Sequence, residues 1–204
     1  MIQPRIQDLI SVISNIVVGV SAVIVTIIGF VGLRQWRREL AGKTKFDVAR
    51  RMAILSYQFR DEFRRARNPF TFPGESFDRK KGEQETTEET QILDEYFARQ
   101  RRLVPLQDTL RKVYEASWEA EIVLDKDIAK YIEPLEQSFK ELYATIEVYF
   151  KTSYQQARRP KPLMSPEWME SNFKKVYGTE DDEFSKSVSE SAIAMVDKLK
   201  TYIS

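Results

Sequence analysis

The sequence predicts an all-α membrane protein, in which one N-terminal transmembrane helix continues into a cytoplasmic helical bundle of five or six helices. Three observations predict this. Leu9 to Leu33 is a run of 25 residues without a charged side chain, bracketed by Asp8 and Arg34. Beyond it, apolar residues recur at helical spacing and nowhere show the strict alternation of strands. Only 7 Gly and 8 Pro punctuate 204 residues, too few for a turn-rich β architecture. The expected organisation is a transmembrane segment at 1–33, a juxtamembrane basic helix at 34–67, a mobile loop at 68–86 and the helical bundle at 87–204.

At a rise of about 1.5 Å per residue, the uncharged run spans roughly 37 Å as a helix. That exceeds the ~30 Å hydrocarbon core of a bilayer, so a tilt is expected. A removable signal peptide fits poorly. The run is too long, its N-terminal flank is barely basic, and no A-x-A-like site precedes the charges. Orientation follows from the flanks. Arg5 stands alone on one side, while Arg34, Arg37, Arg38, Lys43, Lys45, Arg50 and Arg51 crowd the other. The positive-inside rule then leaves the first eight residues outside an inner membrane and the C-terminal domain in the cytoplasm. Trp36, with Arg34, Arg37 and Arg38, stands where an interfacial anchor to the lipid bilayer belongs.

The membrane segment is not uniformly apolar. Ser11, Asn15, Gly19, Ala22, Thr26 and Gly29 share one helical stripe, and the other faces are mainly Val and Ile. Two readings stand. Hydroxyls can satisfy carbonyls of their own helix, and glycine is common in membrane helices. Alternatively, small residues admit a neighbouring helix and an amide in lipid seeks a partner, so the stripe drives homo-oligomerisation. In a ring of copies, Asn15 and Thr26 would be the polar positions lining water. A single-pass helix forms a pore only as an oligomer.

In the cytoplasmic part, Phe46, Ala49, Met52, Phe59 and Phe63 keep helical spacing as far as Arg67, with Gly42 a place where the helix loosens. Asn68-Pro69 ends that helix, because proline disfavours helical geometry before it and lacks an amide donor. Thr86 and Glu89 have the spacing of a capping box. The stripe that follows runs through Ile92, Tyr96, Leu103, Leu106, Leu110, Val113 and Ala120, with a kink or interruption expected at Pro105. Another runs from Ile128 to Tyr149, with Pro134 at a first turn or a kink. Ser165-Pro166-Glu167 reads as an N-cap, a first helical position and an acid at the positive helix end. That helix should stop at Gly178. Thr179 with Asp182 should start the last one, whose stripe is Phe184, Val188, Ala192, Met195, Leu199 and Tyr202.

The composition excludes much chemistry. With no cysteine there are no disulfides and no thiolate metal sites. With no histidine, the commonest general base and zinc ligand are missing. There is no Gly-rich phosphate loop, nucleophile elbow, H-E-x-x-H or E-x-x-H motif. Helical ribonucleases of the HEPN type need a histidine a few residues after an arginine. The expectation is therefore a protein that is not an enzyme, with no catalytic residue, metal or cofactor. Asp181-Asp182 and Glu88-Glu89 lie at helix starts, where they complement the dipole.

Basic clusters remain. From Arg34 to Arg67 there are 11 basic and 4 acidic residues. Arg60, Arg64 and Arg67 share one face at i, i+4 and i+7. Arg99, Arg101 and Arg102 form a second cluster, and Arg158, Arg159 and Lys161 a third. Such clusters either balance acids on neighbouring helices or form an anion site for a nucleotide or RNA signal. Arg60, Arg64 and Arg67 are the candidates for the second role.

The stretch Gly32-Leu33-Arg34-Gln35-Trp36-Arg37-Arg38-Glu39-Leu40-Ala41-Gly42-Lys43, with Phe46 to Arg51 and Arg67-Asn68-Pro69-Phe70, resembles a group of uncharacterised bacterial proteins. These have one N-terminal membrane helix, a W-R-R-E-L-x-G-K exit and a helical cytoplasmic domain. The layout is also similar to small membrane proteins of bacterial antiviral systems, CRISPR-linked ones included. That resemblance implies oligomerisation and perturbation of the inner membrane. Lacking histidine, this chain would act through assembly rather than RNA cleavage. Two function classes follow: a homo-oligomeric, pore-forming or membrane-perturbing effector with a helical sensing domain, and a membrane-tethered adaptor that recruits a cytoplasmic protein partner.

Overall fold

The computed structural model describes residues 3–72, 74–179 and 181–203. These residues form helices α1 (Gln3–Arg67), α2 (Thr87–Val123), α3 (Glu133–Ala157), α4 (Pro166–Val176) and α5 (Glu183–Ile203). A 3-10 turn at Lys126–Tyr131 precedes α3. No strand occurs among the described residues. The chain divides into two compact units, Met1–Thr44 and Lys45–Ser204.

In the first unit the described residues are helical throughout, and every side chain from Ser11 to Thr44 is exposed. The most apolar window of α1 has a mean hydropathy of 2.7, and no part of that window is buried. Among the described residues, α1 is the one helix long and apolar enough to cross a membrane. Gly42, read as a loosening point, is helical. The i to i−4 ladder needs no side chain, so one glycine weakens a helix without breaking it.

The second unit packs its helices around one core. From α1 it takes Val48, Ala49, Met52, Leu55, Phe59, Phe63 and Ala66, and from α2 Leu103, Leu106, Leu110, Val113, Ala116 and Ala120. Leu135, Leu142, Ile146 and Phe150 come from α3, and Val188, Ala192, Met195 and Leu199 from α5. Each buried aliphatic or aromatic side chain contributes about 1.5–3 kcal/mol. Ile128 and Ile132 close one end. Phe46, expected in this stripe, is 39% exposed: it stands two residues before the first buried residue, Val48, on a different side of the helix.

The helix starts follow local chemistry. Thr86 Oγ1 accepts from the Glu89 amide, and the Glu89 carboxylate accepts from the Thr86 amide, completing the capping box. Ser165 caps α4 by accepting from the Trp168 amide, with Pro166 at the first position. Pro134 also falls in a first turn, that of α3. Three details differ from the sequence reading. The stretch from Ile128 to Tyr149 is a 3-10 turn followed by a separate α-helix. The last helix is capped by Asp182, whose Oδ1 accepts from the Ser185 amide, and not by Thr179. And α2 runs unbroken through Pro105. The proline deletes one amide donor and points to solvent, while the buried Leu103 and Leu106 on either side keep the helix seated.

Residues 68–86, expected to be a mobile loop, carry turns and side-chain ties. Arg79 grips Glu85 through both Nη atoms, at 3.0 and 2.7 Å, and also reaches Asp94. Gly74 adopts φ +109°, a left-handed conformation that side chains disfavour.

Candidate functional site: the membrane stripe and the arginine clusters

The stripe of Ser11, Asn15, Gly19, Ala22, Thr26 and Gly29 is exposed along its length. A Cβ added at Gly19 or Gly29 would meet nothing within 4 Å. Thr26 Oγ1 donates to the Ala22 carbonyl at 2.7 Å, which satisfies that hydroxyl within its own helix. Ala22 keeps its surface open for packing. At the end of the uncharged run, Arg34, Trp36, Arg37 and Arg38 are exposed, and Gln35 donates to Glu39 at 3.1 Å.

Arg60, Arg64 and Arg67 do not converge on one partner. Arg60 pairs with its neighbour Asp61 at 2.8 Å and lies over the Tyr57 ring at 4.9 Å. Arg64 donates from Nη2 to Ser189 Oγ at 3.2 Å. Arg67 is 0% exposed. Its Nε donates to the Lys175 carbonyl and its Nη2 to the Lys174 carbonyl, both at 2.8 Å. Its Nη1 donates to Asp182 Oδ1 at 2.8 Å and to Ser185 Oγ at 2.6 Å. All three guanidinium nitrogens thus face protein oxygens, and the Phe184 ring covers the group at 4.9 Å. Arg67 ties the end of α1 to the end of α4 and the start of α5. A ligand from solvent reaches Arg64 but not Arg67: a hollow of about 440 Å³ opens beside Arg64 and Arg65, edged by Asn68, Phe70 and Thr179.

The second cluster divides by exposure. Arg99 is buried over the Tyr177 ring at 4.5 Å, and its Nη1 donates to the carbonyls of Ala66 and Asn68. Burial pushes its guanidinium pKa below the ordinary value. Arg102, also buried, holds Glu75 through Nε at 2.9 Å and Nη2 at 2.6 Å, and donates to the carbonyls of Asn68 and Phe70. Arg102 in turn holds the Glu75 carboxyl below the usual carboxylate range. Between them these two arginines satisfy the Ala66 carbonyl, left without a helical partner at the end of α1, and the carbonyls of Asn68 and Phe70 just past it. Arg101 is exposed and pairs with Asp78. From the third cluster, Arg158 pairs with the buried Glu89 of the capping box.

The sequence reading names Arg99, Arg102, Asp182 and Gly178 but misses their buried contacts: Arg99 and Arg102 with the segment after α1, and Asp182 and Gly178 with Arg67. A signal did exist for Arg99: it falls between Tyr96 and Leu103 at i+3 and i+7, inside the apolar stripe. Among the described residues the geometry is that of an all-helical protein with one candidate membrane-spanning helix and a domain clamped by buried arginines. Comparison with protein-family models, with curated proteins and with solved structures finds no match.

Proposed function

We propose that this protein is a homo-oligomeric effector of the bacterial inner membrane, with its N-terminus outside and its helical domain in the cytoplasm. Copies assemble through the stripe from Ser11 to Gly29 and perturb or open the bilayer, and the cytoplasmic domain senses the activating signal. What carries this reading is the exposed line of small and polar residues in an uncharged 25-residue run. In lipid the Asn15 amide needs a partner, and a second copy supplies one, while Gly19, Ala22 and Gly29 allow close approach. The domain's contribution is an anionic signal, a nucleotide or RNA, taken at the hollow beside Arg64 with Arg60 on the same helix face. A role in antiviral defence follows from the similarity of layout.

The test is the mass of the detergent-solubilised particle together with membrane potential on expression. The expected results are an oligomer and depolarisation, both abolished by Asn15→Leu. A monomer overturns the proposal.

A second reading, a membrane-tethered adaptor for a cytoplasmic protein, is favoured by one observation. Trp118 and Ile122, one turn apart on α2, are 62% and 86% exposed. Replacing residues 9–33 by an unrelated membrane helix leaves an adaptor's function intact and destroys an effector's.

A further inference from the structure

We propose that the exposed face of α1 within the second unit, formed by Asp47, Arg50, Ile54 and Tyr57, docks a second copy of this chain in parallel and in register. The inference rests on the homo-oligomeric reading above and supplies it with a cytoplasmic contact.

Spacing is the first argument. These residues step by three, four and three, the pattern of positions that face a partner in a two-stranded coiled coil. The same helix buries Val48, Met52, Leu55, Phe59 and Phe63 in the domain core. A helix with one buried face normally turns a polar face outward. Here that face carries Ile54, 46% exposed, and Tyr57, 37% exposed. In the sequence, the three-four step also counts without a break from Gly19, Ala22, Thr26 and Gly29 through Leu33, Trp36, Leu40 and Lys43 to Asp47.

Charge complementarity selects a second copy as the occupant. Among the described residues, Asp47 and Arg50 have no ion-pair partner, whereas their neighbour Arg51 pairs with Glu119 at 2.8 Å. Residues 47, 50, 51 and 54 stand at i, i+3, i+4 and i+7 and line a shallow hollow of about 280 Å³. Four residues so spaced form the hole that receives a knob from a facing helix. Copies inserted with one orientation run parallel. The knob entering this hole is then Arg50 of the second copy, which arrives beside Asp47 and Arg50, while Arg51 is held by Glu119; the two aspartates and two arginines of the pair carry no net charge. Two-fold symmetry repeats the pair, so the surface is self-complementary.

The chain has no cysteine, so single-cysteine variants of the full protein in native membranes report contacts directly. With copper phenanthroline as oxidant, Ile54→Cys should give a disulfide-linked dimer as the main species. Ser187→Cys, an exposed position on α5, should stay monomeric. In the Ile54→Cys background, D47R or R50D alone should lower the dimer yield about threefold or more, and the two together should restore it. Cross-linking of Ser11→Cys, on the same membrane stripe with Asn15 intact, and Ile54→Cys no better than Ser187→Cys, overturns this interface and leaves membrane assembly standing. Failure at both Ser11 and Ile54 overturns both. Dimers of Ile54→Cys that ignore the charge exchanges overturn the register.

Discussion

Arg67 Nη1 lies 2.8 Å from Asp182 Oδ1, an ion pair that joins the last residue of α1 to the residue capping α5. The arginine is closed off from solvent, while the aspartate side chain is partly open. The two ends are therefore unequal. Arg67→Met removes the guanidinium donors to Asp182, Ser185 and the two α4 carbonyls, leaving Asp182 only the Ser185 amide and hydroxyl, and it should cost about 3–5 kcal/mol of stability. Asp182→Asn keeps an acceptor for the Ser185 amide, lets water reach the gap, and should cost about 1–3 kcal/mol. Denaturant unfolding of the full chain in detergent gives the order. Equal losses would mean that the pair, and not the buried arginine with its carbonyls, holds the joint.

Acid should loosen the domain through its clamped carboxylates. Arg79, with help from the Gly82 amide, brings the Glu85 pKa down to about 2 from 4.5. Arg102 lowers that of Glu75. At Asp182 burial acts to raise the pKa, but the Arg67 hydrogen bond and the Ser185 amide outweigh it and the net shift is downward. A carboxyl with a depressed folded pKa binds protons more readily when unfolded. Its stabilisation is present above about pH 4.5 and is lost as pH falls toward about 2. Melting temperature should therefore drop across that window. Arg79→Gln should make the protein less stable at neutral pH and the acid slope shallower. A slope unchanged in that variant would remove Glu85 from the account.

Gly178 sits where no side chain fits. A Cβ there would lie 2.3 Å from Arg67 Cζ and 2.5 Å from Asp182 Oδ2. The arginine cannot swing aside, because all three of its guanidinium nitrogens are held. Gly178→Ala should destabilise by about 1–3 kcal/mol, as overpacking does. Gly42→Ala meets nothing within 4 Å in a helical position and should stabilise by roughly 0.5–1 kcal/mol. Thermal melts of the two variants should move in opposite directions.

The contrast between these sites shows what the chain declares locally. The capping box at Thr86, the Ser165-Pro166 helix start and the stripes of Phe59, Leu106, Ile146 and Met195 were all readable, because each depends on residues within one or two turns. The buried arginines were not. Charge argues for exposure unless the partners are known, and the partners of Arg99 and Arg102 are backbone carbonyls some thirty residues earlier. Asp182 was legible as part of a helix start together with Thr179, but its bond to Arg67, 115 residues away, was not. The ion pairs of the segment between α1 and α2 also escaped, because the acids that Arg79, Arg101 and Arg102 hold are not singled out by local spacing.

Pro105 gives a direct check on how local preference yields to packing. It stands in the interior of α2, on the exposed side, where its ring deletes the amide that would bond the Arg101 carbonyl. Such a proline costs up to about 3 kcal/mol in an unsupported helix. Here Leu103 and Leu106, both buried, and Leu110 beyond them hold the helix against the core. Pro105→Ala restores the donor without touching that core and should raise stability by about 1–3 kcal/mol, read as a higher denaturant midpoint. If α2 were seated by a kink at this point, alanine would straighten it and lift Leu103 out of contact, and the variant would be less stable. The sign of the shift therefore separates a tolerated proline from a shaping one.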